Sequence, residues 1–230
     1  MPKAMGGRAD VAVLVPAGGM GARLGRRTPK QFLALGREPI LAATLRHFRR
    51  HPRVGAVIVA APAAHVERAR RLLGGGGAPL TVVAGGATRQ ESVWCALQAV
   101  PPSMAVIVVH DAVRPFLTRA LIDTLIGAAE RDGAAICGLP IAETVKRVRD
   151  GRVEATLDRE GLWSAQTPQA FRAAVLREAH DKARRDGFVG TDEAMLVERL
   201  GHPVRMVHGL ADNVKITTPD DLHRARRRRR

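Results

Sequence analysis

Tyrosine is absent from the 230 residues, and aromatic side chains make up only 3 %. That is too few for a platform on which nucleic-acid bases stack. Cysteine is also scarce. Cys95 and Cys137 stand far apart, each in an apolar segment. Such thiols pack as small hydrophobes and form neither a disulfide framework nor a zinc site. No apolar run approaches the ~18 residues that read as a membrane span. The opening MPKAMGGRAD lacks an apolar h-region and an amphipathic Arg/Ser-rich helix, so no targeting signal is legible. Together these absences favour the cytoplasm.

Acidic residues are in short supply: 37 Lys and Arg face 22 Asp and Glu, giving +15. Six of these charges are arginines in RARRRRR at 224–230, and without them +9 remains. A basic chain suits polyanionic partners. The tail raises nucleic acid as a rival partner, with salt-sensitive binding as its signature. A general enrichment in Arg and Ala would explain the excess equally well.

What is present is an alternation of apolar strands and amphipathic helices. Strands are expected at 11–15, 54–60, 80–84, 105–109 and 134–139, with helices at 40–48, 63–73, 89–100 and 118–131 between them. Thr118 is a candidate N-cap, and the Gly74–Gly77 run is a loop. Continuous apolar strands separated by helices indicate an α/β fold, with a mostly parallel sheet covered on both faces. Beyond Pro140 the rhythm changes. Residues 143–149 and 152–157 flank Asp150-Gly151, a hairpin signature. This polar hairpin is expected to project as an arm. Helices follow at 172–185 and 192–200, strands at 204–207 and 213–216, and a last helix from Pro219. One domain over 1–230 is expected, with an arm at about 140–168 and the basic tail at 224–230.

Ligands of open α/β sheets bind at the carboxyl ends of the strands. Three motifs converge there: Pro16-Ala17-Gly18-Gly19-Met-Gly21-Ala-Arg23, Gly85-Gly86, and His110-Asp111. The first is no Walker loop, since GxxxxGK[ST] does not occur. It is no dinucleotide loop either, because Leu24 replaces the third glycine. Glycines admit close approach of backbone amides to oxygens. The added Arg23, Arg26, Arg27 and Lys30 suit a triphosphate better than a diphosphate. The plain alternative is a solvated basic turn, which fits Arg26 and Arg27 best.

With Pro29-Lys30-Gln31, the opening motif resembles that of the nucleotidyltransferases of GT-A-like fold. Further motifs sharpen the likeness: GGATRQESV from Gly85, HDAVRP from His110, ETVKR from Glu143, DREGLW from Asp158, QTPQ from Gln166, TDEA from Thr191 and ADNVKIT from Ala211. Their order is similar to that of the 2-C-methyl-D-erythritol 4-phosphate cytidylyltransferases, from about Val11 to Leu222. Gly18 departs from the usual alanine, and the Arg tail lies outside the shared motifs. The resemblance implies a Rossmann-like sheet of the nucleotide-diphospho-sugar transferase type. It implies displacement at the α-phosphorus of CTP by a sugar-alcohol phosphate, with Mg²⁺ as cofactor. It also implies a homodimer interlocked through the arm.

Residue by residue, the resemblance assigns charge neutralisation to Arg23, Lys30 and Lys215. It assigns CTP binding to Pro16, Ala17, Gly18, Gly19, Gly21, Gly86, Thr88, Arg89, Ser92 and Asp111. Asp111 and Asp212 are the implied metal ligands, and one or two carboxylates plus phosphates suffice for magnesium. Arg114, Thr144, Arg159, Thr167 and Thr191 are the implied contacts to methylerythritol phosphate. Each has a structural alternative: an Asp111–Arg114 ion pair, a turn role for Asp212, helix capping by Thr88, a packed His110, and solvated arm residues. A related polyol phosphate such as ribitol 5-phosphate is the rival substrate.

Overall fold

A computed structural model of the chain describes residues 9–19 and 28–228. The elements run β1 (Val11–Pro16), β2 (Ala34–Leu35), β3 (Glu38–Pro39), α1 (Ile40–Arg49), β4 (Val54–Ala61), α2 (Val66–Leu73), β5 (Leu80–Ala84), α3 (Arg89–Gln98) and β6 (Val106–Val109). They continue with α4 (Arg119–Asp132), β7 (Ala134–Pro140), β8 (Val145–Arg149), β9 (Arg152–Leu157), β10 (Trp163–Arg172), α5 (Ala173–Arg185), α6 (Glu193–Glu198), β11 (Arg205–His208) and α7 (Pro219–Arg228).

Seven strands form one sheet in the order β11-β7-β10-β6-β1-β4-β5. Strands β6, β1, β4 and β5 are parallel neighbours, as the βα alternation predicts. Strand β1 shows why both faces are covered. Val11, Val13 and Val15 pack with Leu41, Leu45 and Phe48 of α1 and with α4. Ala12 and Leu14 point the other way, towards Val93 and Leu97 of α3 and Leu176 of α5. All five strand residues are fully buried, so alternation selects the layer and not exposure.

The sequence reading missed β10. It runs antiparallel between β6 and β7, with a register shift between Gln166 and Gln169. Its polar centre, QTPQ, falls largely within the arm expected at about 140–168, because propensity counts buried glutamines against a central strand; the structure instead gives residues from Trp163 onward to the central sheet. Side-chain partners resolve this. Gln166 bonds to Leu210 and Asn213, and Gln169 bonds to Asp192. The 213–216 segment, expected as a strand, joins no sheet; the Ile216 N–H donates to the Val113 carbonyl. The region expected as one helix from residue 63 begins with a 3-10 turn before α2.

Strands β8 and β9 pair only with each other, as the Asp-Gly hairpin predicts. Asp150 adopts φ 49° and Gly151 φ 76°, the left-handed pair that such a turn requires. Cys95 and Cys137 are free thiols. Among the described residues no helix is long and apolar enough to cross a membrane.

Candidate active site

The carboxyl ends of β1, β5 and β6 open onto a cleft of about 380 Å³. Of the residues singled out in the sequence, Pro16, Ala17, Gly18, Gly19, Lys30, Gly86, Thr88, Arg89, Ser92, Asp111 and Lys215 line it. Gly21 and Arg23 lie outside the described residues. The chain leaves β1 with the Ala17 N–H donating to the Ala60 carbonyl (2.8 Å), which extends the sheet register into the loop. It returns through Pro29 into the 3-10 turn Lys30–Phe32. There the buried Gln31 amide donates to the Ala17 carbonyl and ties the two sides of the loop together. A Cβ built on Gly19 would stand 3.5 Å from Lys30 Cε, so the lysine side chain runs close over the glycine backbone.

Asp111 is the centre of the cleft floor. It follows β6 and is only 7 % exposed. Three cations surround it: Lys215 Nζ at 2.9 Å, Arg114 Nε at 3.3 Å and Arg89 Nε at 3.4 Å. Burial alone would raise its pKa. The charges of Arg89, Lys215 and Arg114 outweigh that and hold the carboxyl far below the usual carboxylate range. Arg89 Nη1 also donates to both carboxylate oxygens of Glu193 at 2.8–2.9 Å. Glu193 is fully buried at the start of α6, and this bidentate bond supplies its counter-charge. Arg89 thus bridges two buried carboxylates. Arg114 does not line the cleft; its other donor reaches the Asn213 carbonyl at 2.6 Å.

Behind Asp111 lies a buried relay. The Asp111 N–H donates to Thr167 Oγ1 (3.0 Å), and Thr167 is 3.0 Å from His110 Nδ1. His110 Nε2 faces the Arg114 carbonyl at 3.0 Å. A carbonyl only accepts, so Nε2 carries the proton and Nδ1 accepts from the threonine hydroxyl. Burial lowers the His110 pKa to about 4, in keeping with a neutral ring. His110 is therefore packed and hydrogen-bonded, against Phe48 at 5.1 Å between ring centroids. Thr167 is 5 % exposed and absent from the cleft lining, so its hydroxyl positions Asp111 in this structure.

Helix α3 presents its first turn to the cleft. Thr88 and Glu91 form a reciprocal capping box, with bonds of 3.1 and 3.0 Å. The Ser92 hydroxyl donates to the Thr88 carbonyl at 2.9 Å. The glycine before this turn has a packing reason as well: a Cβ on Gly86 would fall 2.3 Å from Glu91 Cβ. The capping box excludes any side chain there.

Thr144, Arg159 and Thr191 do not reach the cleft of this chain. Thr144 is exposed beside β8, and Arg159 donates to the Ala142 carbonyl at the base of the arm. Thr191 is exposed, and its hydroxyl lies 3.9 Å from the Met195 sulfur. Asp212 does not line the cleft either; its exposed carboxylate pairs with Arg228 of α7. That hydrogen bond to Arg228 lowers its pKa. Tail arginines are thus engaged with the fold: Arg226 donates to the Ala34 carbonyl and Arg228 lies over Phe116.

The sequence model of the family described as 2-C-methyl-D-erythritol 4-phosphate cytidylyltransferase matches residues 11–228. The chain belongs to this family. A cytidylyltransferase of that name from Symbiobacterium thermophilum is 46 % identical over 216 residues, covering 94 % of this chain and 91 % of that one. One from Geobacter metallireducens is 46 % identical over 218 residues, 92 % of this chain and 94 % of the other. The crystal structure of the Thermus thermophilus cytidylyltransferase superposes with a TM-score of 0.80 at 38 % identity, covering 95 % of this chain and 98 % of that chain. The mostly parallel sheet with helices on both faces is the architecture of this family.

Several residues of this cytidylyltransferase fold escaped the sequence reading of the site. Gln31, Glu193 and Asn213 are all buried and hold, respectively, Ala17, Arg89 and the Thr167 carbonyl (2.7 Å). All three sit in motifs that carry the family likeness, Pro29-Lys30-Gln31, TDEA and ADNVKIT, but their burial is not local; that of Glu193 depends on Arg89, 104 positions away. For a divalent cation, Asp111 fits: it is a hard oxygen donor, kept ionised, facing the cleft. Among the described residues no group of three or more His, Cys, Asp or Glu forms a further candidate.

Proposed function

We propose that the chain transfers the cytidylyl group of CTP to 2-C-methyl-D-erythritol 4-phosphate in non-mevalonate isoprenoid biosynthesis. The products are 4-diphosphocytidyl-2-C-methyl-D-erythritol and pyrophosphate. The carrying observation is the floor of the cleft, where Asp111 gathers Lys215 and Arg89 beneath a glycine-lined rim. An oxygen of the methylerythritol phosphate forms the new bond to the α-phosphorus. The bond to the bridging oxygen breaks, and its electron pair leaves on pyrophosphate.

The nucleophile is already anionic near neutral pH, so the reaction needs no general base. The site agrees: among the described residues no histidine lines the cleft, and His110 behind it is buried and committed at both ring nitrogens. What remains for this chain is positioning and charge stabilisation. Lys30 and Lys215 face the space where the triphosphate would lie. Arg23 stands in the same loop by sequence and joins them in this reading. Backbone amides of Gly18 and Gly19 and the first turn of α3 supply neutral donors, with Thr88 and Ser92 on the nucleoside side. Bound Mg²⁺ would neutralise phosphate charge, held by Asp111 together with phosphate oxygens. Asp212, expected as the second ligand, becomes available only when Arg228 releases it.

The arm supplies the second substrate's contacts in a homodimer. Val148 and Val153 are cross-strand partners on β8 and β9, and they are 55 % and 62 % exposed. Such a pair favours burial against another surface. In this reading a second copy covers the arm, and Thr144 and Arg159 serve the partner's cleft. Pyrophosphate release tests the function, with CTP, UTP, ATP or GTP and with either methylerythritol phosphate or ribitol 5-phosphate. CTP with methylerythritol phosphate should be the preferred pair. Turnover only with ribitol 5-phosphate, or no preference for CTP, would refute it.

A further inference from the structure

Helix α3 borders a second cavity, of about 250 Å³, on its boundary with α5. Its aromatic lining comes from Trp94 and Phe188. Arg184 brings a positive charge, its guanidinium 4.7 Å from the Trp94 ring centroid. His180 also lines the cavity, is fully buried, and has no hydrogen-bond partner at either ring nitrogen. Burial first, then the charges of Arg89 and Arg184, lower its pKa to about 4. The ring is therefore neutral at pH 7 and offers one donor and one acceptor. Glu91 contributes the acidic side chain of the lining, and its Oε2 accepts from the Thr88 amide.

These features select a ligand class. Aromatic walls favour a planar body. The guanidinium favours a carboxylate. The volume lies just below the range of drug-sized sites, so a single ring fits best. The buried His180 ring, with neither nitrogen paired, calls for a partner.

The cavity and the cleft are mechanically joined. Thr88 lines both. Gln90 donates to the Phe188 carbonyl (3.0 Å) and accepts from the Gly190 N–H (2.8 Å). Three residues beyond Gly190, Glu193 grips Arg89 at the cleft floor. One wall of the cavity is thus continuous with the segment that holds Arg89.

We propose that the cavity between α3 and α5 binds a small planar organic anion and that its occupancy changes CTP affinity through Arg89. The site itself stands independently of the proposed reaction; only the coupling rests on CTP binding in the cleft. The probe is 4-fluorobenzoate, with 4-fluorobenzyl alcohol as its neutral counterpart, followed by fluorine NMR line broadening on the full chain. Benzoate binding should survive saturating CTP and exceed alcohol binding. Arg184→Ala should weaken it about tenfold, as loss of a charge-assisted hydrogen bond does. His180→Phe should abolish it, and Arg184→Ala carries the test if that core variant does not fold. CTP and the probe should shift each other's dissociation constants by one common factor, of about fivefold or more. Absence of broadening, full displacement by CTP, equal binding of the alcohol, or indifference to Arg184→Ala overturns the site. Probe binding with an unchanged CTP constant overturns the coupling. A chain that binds the probe but not CTP refutes the proposed function and leaves the site standing.

Discussion

Replacing Asp111 by asparagine keeps the size of the side chain and removes one charge at the cleft floor. In the native chain Lys215, Arg114 and Arg89 all lie within 3.4 Å of that carboxylate. After the change, Glu193 is the one carboxylate left among them, and it already serves Arg89. Removing one partner of a buried ion pair costs about 3–5 kcal/mol. Arg89 and Lys215 are 29 % and 41 % exposed at their side chains, so water restores part of their solvation. A loss of about 2–3 kcal/mol is therefore expected at pH 7. Urea unfolding of both proteins without nucleotide measures it. The pH dependence gives a second check. The folded-state pKa of Asp111 lies below its unfolded value. Its stabilisation is complete well above the unfolded pKa of about 3.9 and is lost as pH falls through that value towards the folded one. The two stability curves should therefore converge as pH drops from about 5 towards 3. Equal midpoints at pH 7, or parallel curves down to acid, would refute this charge balance around Asp111.

Gly86→Ala places a Cβ 2.3 Å from Glu91 Cβ, so it should open the capping box of α3 and cost about 1–3 kcal/mol in thermal unfolding. Thr167→Val leaves the Asp111 N–H and His110 Nδ1 without their shared partner. A loss of about 1–3 kcal/mol is expected, while Thr167→Ser should stay near the native value; identical denaturation curves for all three would mean the relay is idle. Val148→Asp puts a charge on the exposed valine pair of the arm. If the proposed homodimer forms through the arm, sedimentation should show weaker association than the native chain; an unchanged association constant would refute that role of the arm.

Much of the fold was legible because its strands are buried on both faces. Continuous runs such as VAVLV need no partner to be recognised, and helical periodicity marked what covers them. The turn at Asp150-Gly151 and the cap at Thr118 were legible for a similar reason: their chemistry is local. Strand β10 was not. Its glutamines are tolerated in the sheet because Leu210 and Asn213 pair with Gln166 and Asp192 accepts from Gln169, and those partners lie 23 to 47 positions away. The same distinction runs through the site. Glycines after β1 and β5 and an aspartate after β6 announced a polyanion cleft, since strand order alone sends those three ends to one edge.

By itself, the sequence determined the layered α/β frame, the arm and the family likeness, all carried by short-range pattern and motif order. Beyond the local Asp111–Arg114 pair, only the tertiary structure decided which charges meet. It gave Asp111 three cations, made Arg89 a bridge to a buried Glu193, turned Thr167 inward to hold Asp111, and set Arg228 on Asp212. Pairings of this kind depend on distance and burial, because Coulomb energy scales with separation and local dielectric. Neither quantity is written in the order of residues along the chain.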